Sequence, residues 1–273
     1  MTIAKQRELR AKLAAYEFDL AIDMSDVGVS RPLLYLSNAP FLYGFRPGEF
    51  SWLSAGFEVS TRDFANGLEC VPHTTKMMGF VEWLGVLLKS HFKAERRNDL
   101  SRDLLKKYRI SETEHFVMLH TGARIVFSRW PNYDKLAQLV LKRTQLKVVM
   151  LTDDPELRDR LPKELAVSDR FLLFESQPSF DDFDALVSFC SAFVGNDSGP
   201  KHLAALRGAN VVSIHLARNN WNEWGQETGS IISRRVPCSG CSIHHDPEEC
   251  AKGFPCITNI SPEEVYGALS EFF

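Results

Sequence analysis

Short apolar runs recur along the chain, each closed by small or acidic residues and followed by a segment with helical spacing of its apolar positions. "HFVMLHTG", "LKVVMLTDD", "RFLLFES", "AFVGNDS" and "NVVSIHLA" carry the strand signal, and helices are predicted near Lys135–Thr144, Pro155–Leu161, Phe180–Cys190 and Gly199–Arg207. Strand and helix alternation of this kind marks an α/β architecture, doubly wound from about Glu114 onward. Nearer the N-terminus, "RELRAKLAAYEFDLAIDMS" reads as a helix followed by the short strand "FDLAID". Between the two patterned regions, "LLKSHFKAERRNDLSRDLLKKYRISETEH" is charged and poor in apolar residues. It reads either as a linker, with a division between Ser101 and Thr113, or as a solvated helix inside one domain. The linker reading gives an N-terminal α/β domain over residues 1–110 and a C-terminal domain over 111–273, with a cysteine-rich insertion at 237–257.

Composition narrows the classes. The 273 residues are 44% hydrophobic and 25% charged, as in a globular protein large enough for two cores. A formal net charge of -3 argues against nucleic acid, whose phosphates are usually met by a basic excess. No run reaches the roughly 18 apolar residues of a membrane span, and the first residues lack the apolar core of a signal peptide. A cytoplasmic protein is therefore expected. Of the six cysteines, four lie between Cys238 and Cys256. In a reducing compartment that clustering points to a metal more than to disulfides.

Candidate chemistry concentrates at "FVGNDSGPKHLAALRG", where a strand passes into an alanine-rich helix. Ligands of open parallel sheets sit beyond the carboxyl ends of the strands, where helix N-termini offer unpaired amides and a partial positive charge. Gly195 and Gly199 would allow close backbone approach, Ser198 can donate a hydroxyl, and Pro200 suits the first helical turn. His202 would lie in that turn and could donate to a phosphate, while Asp197 could accept from sugar hydroxyls. A plain helix capped by Asp197 or Ser198 is the alternative.

"DSGPKHLAAL" after an apolar strand resembles the DSGxxH motif of glycosyltransferase family 9, the ADP-heptose lipopolysaccharide heptosyltransferases and their relatives. "HTGARIVFSRWPNYDKLAQLV" resembles the "GAR...RRWP" segment of that family, "FDDFDALVSFCSAFVGNDSG" the helix and strand before the motif, and "YEFDLAIDMSDVGVSRPLLYLSNAPFLYGF" the family's "YDLVIDLQ...RSALLARLSGA...IGF". "PCSGC...C...CITNISPEEV" looks like the cysteine-bearing tail of many members. The resemblance spans Arg10 to Val265 and is closer after His120. It implies a GT-B-like fold with a doubly wound, Rossmann-like C-terminal domain that holds a nucleotide sugar, joined here to a reduced or truncated N-terminal α/β domain. Carried over by position, Asp197 would bind the donor sugar, and Ser198, the Gly199 amide and His202 the diphosphate. Arg124 or Arg129 would take the part of the basic residue before "WP", one expected position being Ser128. Glu156 stands where the family places an acid on the nucleotide ribose.

The implied reaction is inverting transfer of a heptose-like sugar from an ADP-linked donor to a surface glycan or protein, without a catalytic metal. The family carries its proposed catalytic aspartate after the first strand of the N-terminal domain, and the first match of this chain is to the second or third. No base is therefore assigned, and Asp26 in "MSDVG" is the substitute to consider. The alternatives are a catalytically silent nucleotide-sugar-binding module of a larger assembly and, third, a sugar-nucleotide epimerase. Whether the chain is an oligomer is left open. In the loop Ala217 to Pro237, Trp221, Trp224, Glu223 and Glu227 border the donor or pack a domain.

Cys238 and Cys241 form a CxxC knuckle eased by Gly240, and Cys250 and Cys256 follow closely enough to converge on one ion. Four thiolates would make a closed tetrahedral site for zinc or iron with a structural role. His244 and His245 could replace one cysteine or stay solvated, and free thiols or two disulfides are the alternatives. Cys70 and Cys190 read as core thiols.

Overall fold

The computed structural model of the chain describes residues 2–25, 30–58, 73–88, 102–111, 113–154, 156–174, 177–218, 224–226, 229–241, 248, 250 and 252–273. It divides into two compact units, Met1–Ala94 and Glu95–Phe273.

In the first unit, α1 (Ile3–Ala14) starts at Thr2, whose hydroxyl accepts from the Lys5 amide at 3.4 Å, and buries none of its residues. The strands β1 (Leu20–Asp23), β2 (Phe41–Phe45) and β3 (Ala55–Phe57) form a parallel sheet in that order. The helix α2 (His73–Leu87) lays Phe80 against Phe45, with the ring centroids 4.6 Å apart. A buried ion pair sets the chain path beyond β1. Arg31 is fully buried, its Nε donates to Asp23 Oδ2 at 2.9 Å, and its two terminal nitrogens donate to the carbonyls of Phe45 and Ser25. Asp23 Oδ1 accepts from the Ser25 amide and the Ser30 hydroxyl, each at 2.9 Å. All three guanidinium nitrogens and both carboxylate oxygens of the pair are thus engaged inside the fold, which offsets the cost of burying it.

The second unit opens with the 3-10 segment Arg102–Tyr108, whose Leu105 joins Ile110 in a buried cluster. Tyr108 donates to Asp182 Oδ2 at 2.7 Å and so ties this segment to the helix that carries Asp182. The chain then follows β4 (Phe116–His120), α3 (Tyr133–Arg143), β5 (Lys147–Leu151), α4 (Leu157–Arg160), α5 (Lys163–Ala166), β6 (Phe171–Phe174), α6 (Phe180–Phe189), β7 (Ala192–Asn196), α7 (Gly199–Leu206), β8 (Asn210–His215), β9 (Ser230–Ser233), α8 (Pro255–Thr258) and α9 (Pro262–Ser270). The helix expected over Pro155–Leu161 is shorter. Leu161 precedes Pro162 and is extended at φ -65° and ψ 139°, because a following proline ring disfavours the helical conformation.

All six strands are parallel, in the order β6-β5-β4-β7-β8-β9. The central strands are apolar on both faces, so alternate residues feed separate cores. Val117, Leu119, Val148, Met150 and Val194 pack with α3 and α9, and Phe116, Met118, Val149, Leu151 and Phe193 pack with α6 and α7. The fold is α/β and GT-B-like in class. With right-handed crossovers, the strand order reverses at the β4–β7 pair, so the loops leaving these strands diverge and open a crevice at their carboxyl ends.

Asn196, fully buried at the end of β7, closes the floor of that crevice. Its Nδ2 donates to the Thr121 carbonyl at 2.8 Å and to the Gly122 carbonyl at 3.3 Å, and its Oδ1 accepts from the Trp130 amide at 2.9 Å. Trp130 is in turn anchored by its Nε1, which donates to the Ile260 carbonyl at 2.9 Å. Only an amide side chain serves both polarities here. Asn196→Asp keeps the acceptor for Trp130 but turns a carboxylate oxygen on two carbonyls, and is expected to destabilise the unit by about 2 to 4 kcal/mol in urea unfolding. A change under about 0.5 kcal/mol would contradict the role given to this residue.

Candidate functional site

Four loops leave the carboxyl ends of β4, β5, β7 and β8, and most of the side chains singled out from the sequence lie on them. Ser198 stands at the N-cap position of α7 yet makes no capping hydrogen bond; its hydroxyl donates to the Asn196 carbonyl at 3.3 Å. Gly199 is exposed, and a Cβ added there would meet nothing within 4 Å. Among the described residues nothing covers the amide end of α7, and its partial positive charge suits an anion.

Asp197 does not cap the helix either. Its carboxylate is 35% exposed, with Oδ1 3.0 Å from Lys201 Nζ and Oδ2 3.8 Å from His215 Nδ1. Lys201 is fully buried and also reaches His215 Nε2, at 3.1 Å, and the Trp224 carbonyl. Ser213 Oγ lies 2.9 Å from both the same His215 nitrogen and Gln226 Oε1, and its one proton is shared between them. Burial, reinforced by the Lys201 charge, pushes His215 down to about 3, so its ring is neutral at ordinary pH. Nε2 then accepts from Lys201, and the ring proton sits on Nδ1, towards Asp197. Lys201 and His215 were not singled out from the sequence; the i,i+4 spacing of Asp197 and Lys201 at a helical start is the one local trace of the first, and the second left none.

The two arginines part company. Arg129 donates from Nε and Nη2 to the Ala123 carbonyl at 3.1 and 2.9 Å and from Nη2 to Asp153 at 2.7 Å, so it braces the loop after β4. Arg124 is exposed on that loop and lies within electrostatic reach of Arg218, which follows β8. Arg218 is half-buried; burial lowers its guanidinium, Asp197 and Cys241 oppose that, and Arg124 adds to it. Asp197, Arg124 and Arg218 thus share one field near the start of α7, with Arg218 a further addition to the residues read from the sequence. Glu156 is exposed at the N-cap of α4, where its amide donates to Asp154 Oδ1 at 3.0 Å. His202, half-buried, has its ring centroid 6.3 Å from that of Trp224. Asp26, Trp221, Glu223, Glu227, His244, His245 and Cys70 lie outside the described residues.

The four clustered cysteines line one small cavity against Ala217 and Arg218. All four are free thiols, as is Cys190, which burial pushes up to about 12. Gly240, at φ +85°, makes the turn between Cys238 and Cys241, and its amide donates to the Ala217 carbonyl at 2.8 Å. The Phe254 amide donates to Cys250 Sγ at 3.3 Å, and Cys256 is buried, its thiol raised by burial first and by Cys250 and Cys238 nearby. Among the described residues no three His, Cys, Asp or Glu side chains stand at metal-holding separations.

The sequence matches the model of glycosyltransferase family 9 (heptosyltransferase) over residues 6–252. The chain belongs to that family. Of individual family 9 relatives, lipooligosaccharide heptosyltransferase 2 of Campylobacter jejuni is 28% identical over 81 residues, 29% of this chain and 24% of that enzyme's length. The fold is shared with E. coli ADP-heptose LPS heptosyltransferase II at a TM-score of 0.62 and 17% identity, covering 100% of this chain and 81% of the other. It is also shared with E. coli heptosyltransferase WaaC with ADP, at 0.65 and 12% identity over 99% and 78%. No helix among the described residues of this family 9 chain is long and apolar enough to cross a membrane.

The neutral buried His215 has a stability signature. The unfolded chain takes up a proton near pH 6.5 that the folded ring refuses until about pH 3, so this contribution is complete above pH 6.5 and is lost as pH falls. Between pH 7 and 4 the loss is on the order of 3 kcal/mol. His215→Gln is expected to flatten that part of the urea-midpoint profile; a profile parallel to that of the wild type would contradict the assignment.

Proposed function

We propose that the chain is a glycosyltransferase that moves a heptose-like sugar from an ADP-linked donor to a surface glycan or protein acceptor, with inversion. The observation that carries the reading is the exposed amide end of α7 at the β4–β7 switch point, with Asp197 and Ser198 beside it and Gly199 open in front. A diphosphate suits that end, because backbone amides and the helix dipole meet its charge without a metal. Family membership and the ADP or ADP-heptose named for the two E. coli enzymes support the same reading. Arg124 and Arg218 would add positive charge as the diphosphate leaves, His202 would donate to it, and Asp197 would accept from the sugar hydroxyls. Arg129 serves by holding the loop that carries Arg124. Glu156 is assigned to the ribose, and Asp26 is the residue to test as the base that activates the acceptor hydroxyl.

Calorimetry with ADP-heptose tests the donor site. Asp197→Ala and His202→Ala are each expected to weaken binding by about 1 to 3 kcal/mol, the scale of a hydrogen bond to a charged group. Affinity unchanged in both, with the fold intact, would remove the assignment. A thermal-shift panel of ADP-, UDP- and GDP-sugars is expected to show the largest rise with the ADP-sugar. An equal or larger rise with another base would overturn the choice of ADP.

The cysteine cavity is proposed to take one structural zinc or iron. Four free thiols on one cavity, two of them flanking a glycine turn, suit a soft ion. When bound, the ion would close the site with thiolates, pinning residues 238–256 to the loop after β8 without any open position for catalysis. Chelator-free, reducing purification is expected to yield about one equivalent of metal per chain. A content under about a tenth of an equivalent, or two disulfides among the four, would contradict this.

A further inference from the structure

The position of Lys201 raises a question the donor reading leaves unanswered. It lies three residues before Ala204 on the buried face of α7, where the helical pattern calls for an apolar side chain, and it is wholly removed from water. A buried ammonium is costly unless all its protons are taken up. Lys201 has three, and it meets three acceptors: Asp197 Oδ1 at 3.0 Å, His215 Nε2 at 3.1 Å and the Trp224 carbonyl. Each acceptor belongs to a different element, namely the β7–α7 turn, β8 and the loop after β8. Of the three residues, His215 is buried, while Asp197 and Trp224 both reach solvent, and Asp197 is the one that presents a charge there.

We propose that Lys201 is a positioning residue for the donor sugar: it fixes Asp197 through one carboxylate oxygen and draws the Trp224 loop against the same site. The role rests on the donor reading given above and extends it to a residue that touches no ligand. With Oδ1 committed to Lys201 and His215 Nδ1 directed at Oδ2, the carboxylate has one orientation, and its exposed edge is what a sugar hydroxyl would meet. The same ammonium holds the Trp224 carbonyl, and the Trp224 ring lies 6.3 Å from that of His202. A flexible aspartate on a glycine-rich turn would have to be ordered on binding; this one is ordered beforehand. Among the described residues, the charged or titratable groups around Lys201 are Asp197 on the turn, His215 on β8 and, further out, His202 on α7 and Arg218 after β8. Burial lowers the Lys201 amine from its usual value, with Asp197 opposing the shift, so its charge is lost at a lower pH than that of a solvated lysine.

The test compares ADP-heptose with ADP on the full chain, since only the first has the sugar that Asp197 would hold. Lys201→Met replaces the buried charge with an apolar side chain of similar length and leaves Asp197, which is 35% exposed, without its partner. It is expected to weaken ADP-heptose binding about tenfold while ADP binding stays within about twofold. Equal losses for the two probes, or no loss, would overturn the role, because support of the helix alone does not distinguish them. If Lys201→Met does not fold, the wild type decides: its preference for ADP-heptose over ADP is expected to decline as pH rises from 7 to 10.5, the ordinary lysine value below which this amine loses its proton, and a constant preference would overturn the proposal. A wild-type chain that binds neither probe at pH 7 overturns the donor reading itself, and this role with it, and is told apart by failing before any variant is made.

Discussion

Reversal of strand order between β4 and β7 is the constraint on which the rest of the second unit depends. Two neighbouring parallel strands send their following loops in opposite directions, so a crevice must form at their carboxyl ends. The floor of that crevice is held by one side chain, Asn196, which gives its amide hydrogens to the loop after β4 and takes one from Trp130. Everything assigned to the site is placed from this point. The amide end of α7 begins three residues beyond Asn196, the Arg124 loop begins where Asn196 grips Thr121 and Gly122, and Trp130 carries the hold on to α9 through the Ile260 carbonyl.

Charge is arranged on that frame in two layers. The outer layer consists of groups suited to a diphosphate sugar: the Gly199 end of α7, Ser198, Arg124, and the exposed edge of Asp197. Beneath it lies a layer that water does not reach, where Lys201 and His215 hold Asp197 from behind. The buried cation is tolerable because its three protons are all taken, and the buried imidazole is tolerable because it stays neutral. Arg218 connects the outer layer to the cysteine cavity, which it lines, so the two features that stood apart along the chain share a wall in space.

Much of this was legible in the sequence, for reasons that differ by element. The strands β4, β5, β7 and β8 are apolar on both faces and read as continuous runs, which is what a central parallel strand demands. Others left little trace: β3 is "AGF", β2 is "FLYGF" with a glycine at its fourth place, and β9 is "SIIS", none long enough to show a period. The strand-to-helix joint at the DSG turn was legible from the apolar run before it and the alanine-rich helix after it, whereas the donor role given to it rests on the family resemblance. Choosing between Arg124 and Arg129 was not, since a local pattern does not reveal that Asp153, on the next strand's loop, takes Arg129. Lys201 was hidden for the same kind of reason. A lysine in a helix reads as solvated, and its acceptors His215 and Trp224 are brought over it by the parallel register that sets Asn196 beside Ile214. The cysteine cluster lies between these cases, its convergence readable from spacing and its wall with Arg218 visible only in space.

A crystal structure of the chain with ADP-heptose tests the central claim most directly. The account predicts the diphosphate within hydrogen-bonding distance of the Gly199 amide, beyond the carboxyl ends of β4 and β7, with a sugar hydroxyl on Asp197 and Lys201 still paired behind it. A nucleotide bound away from the N-terminus of α7, with the crevice above Asn196 left to solvent, would contradict it.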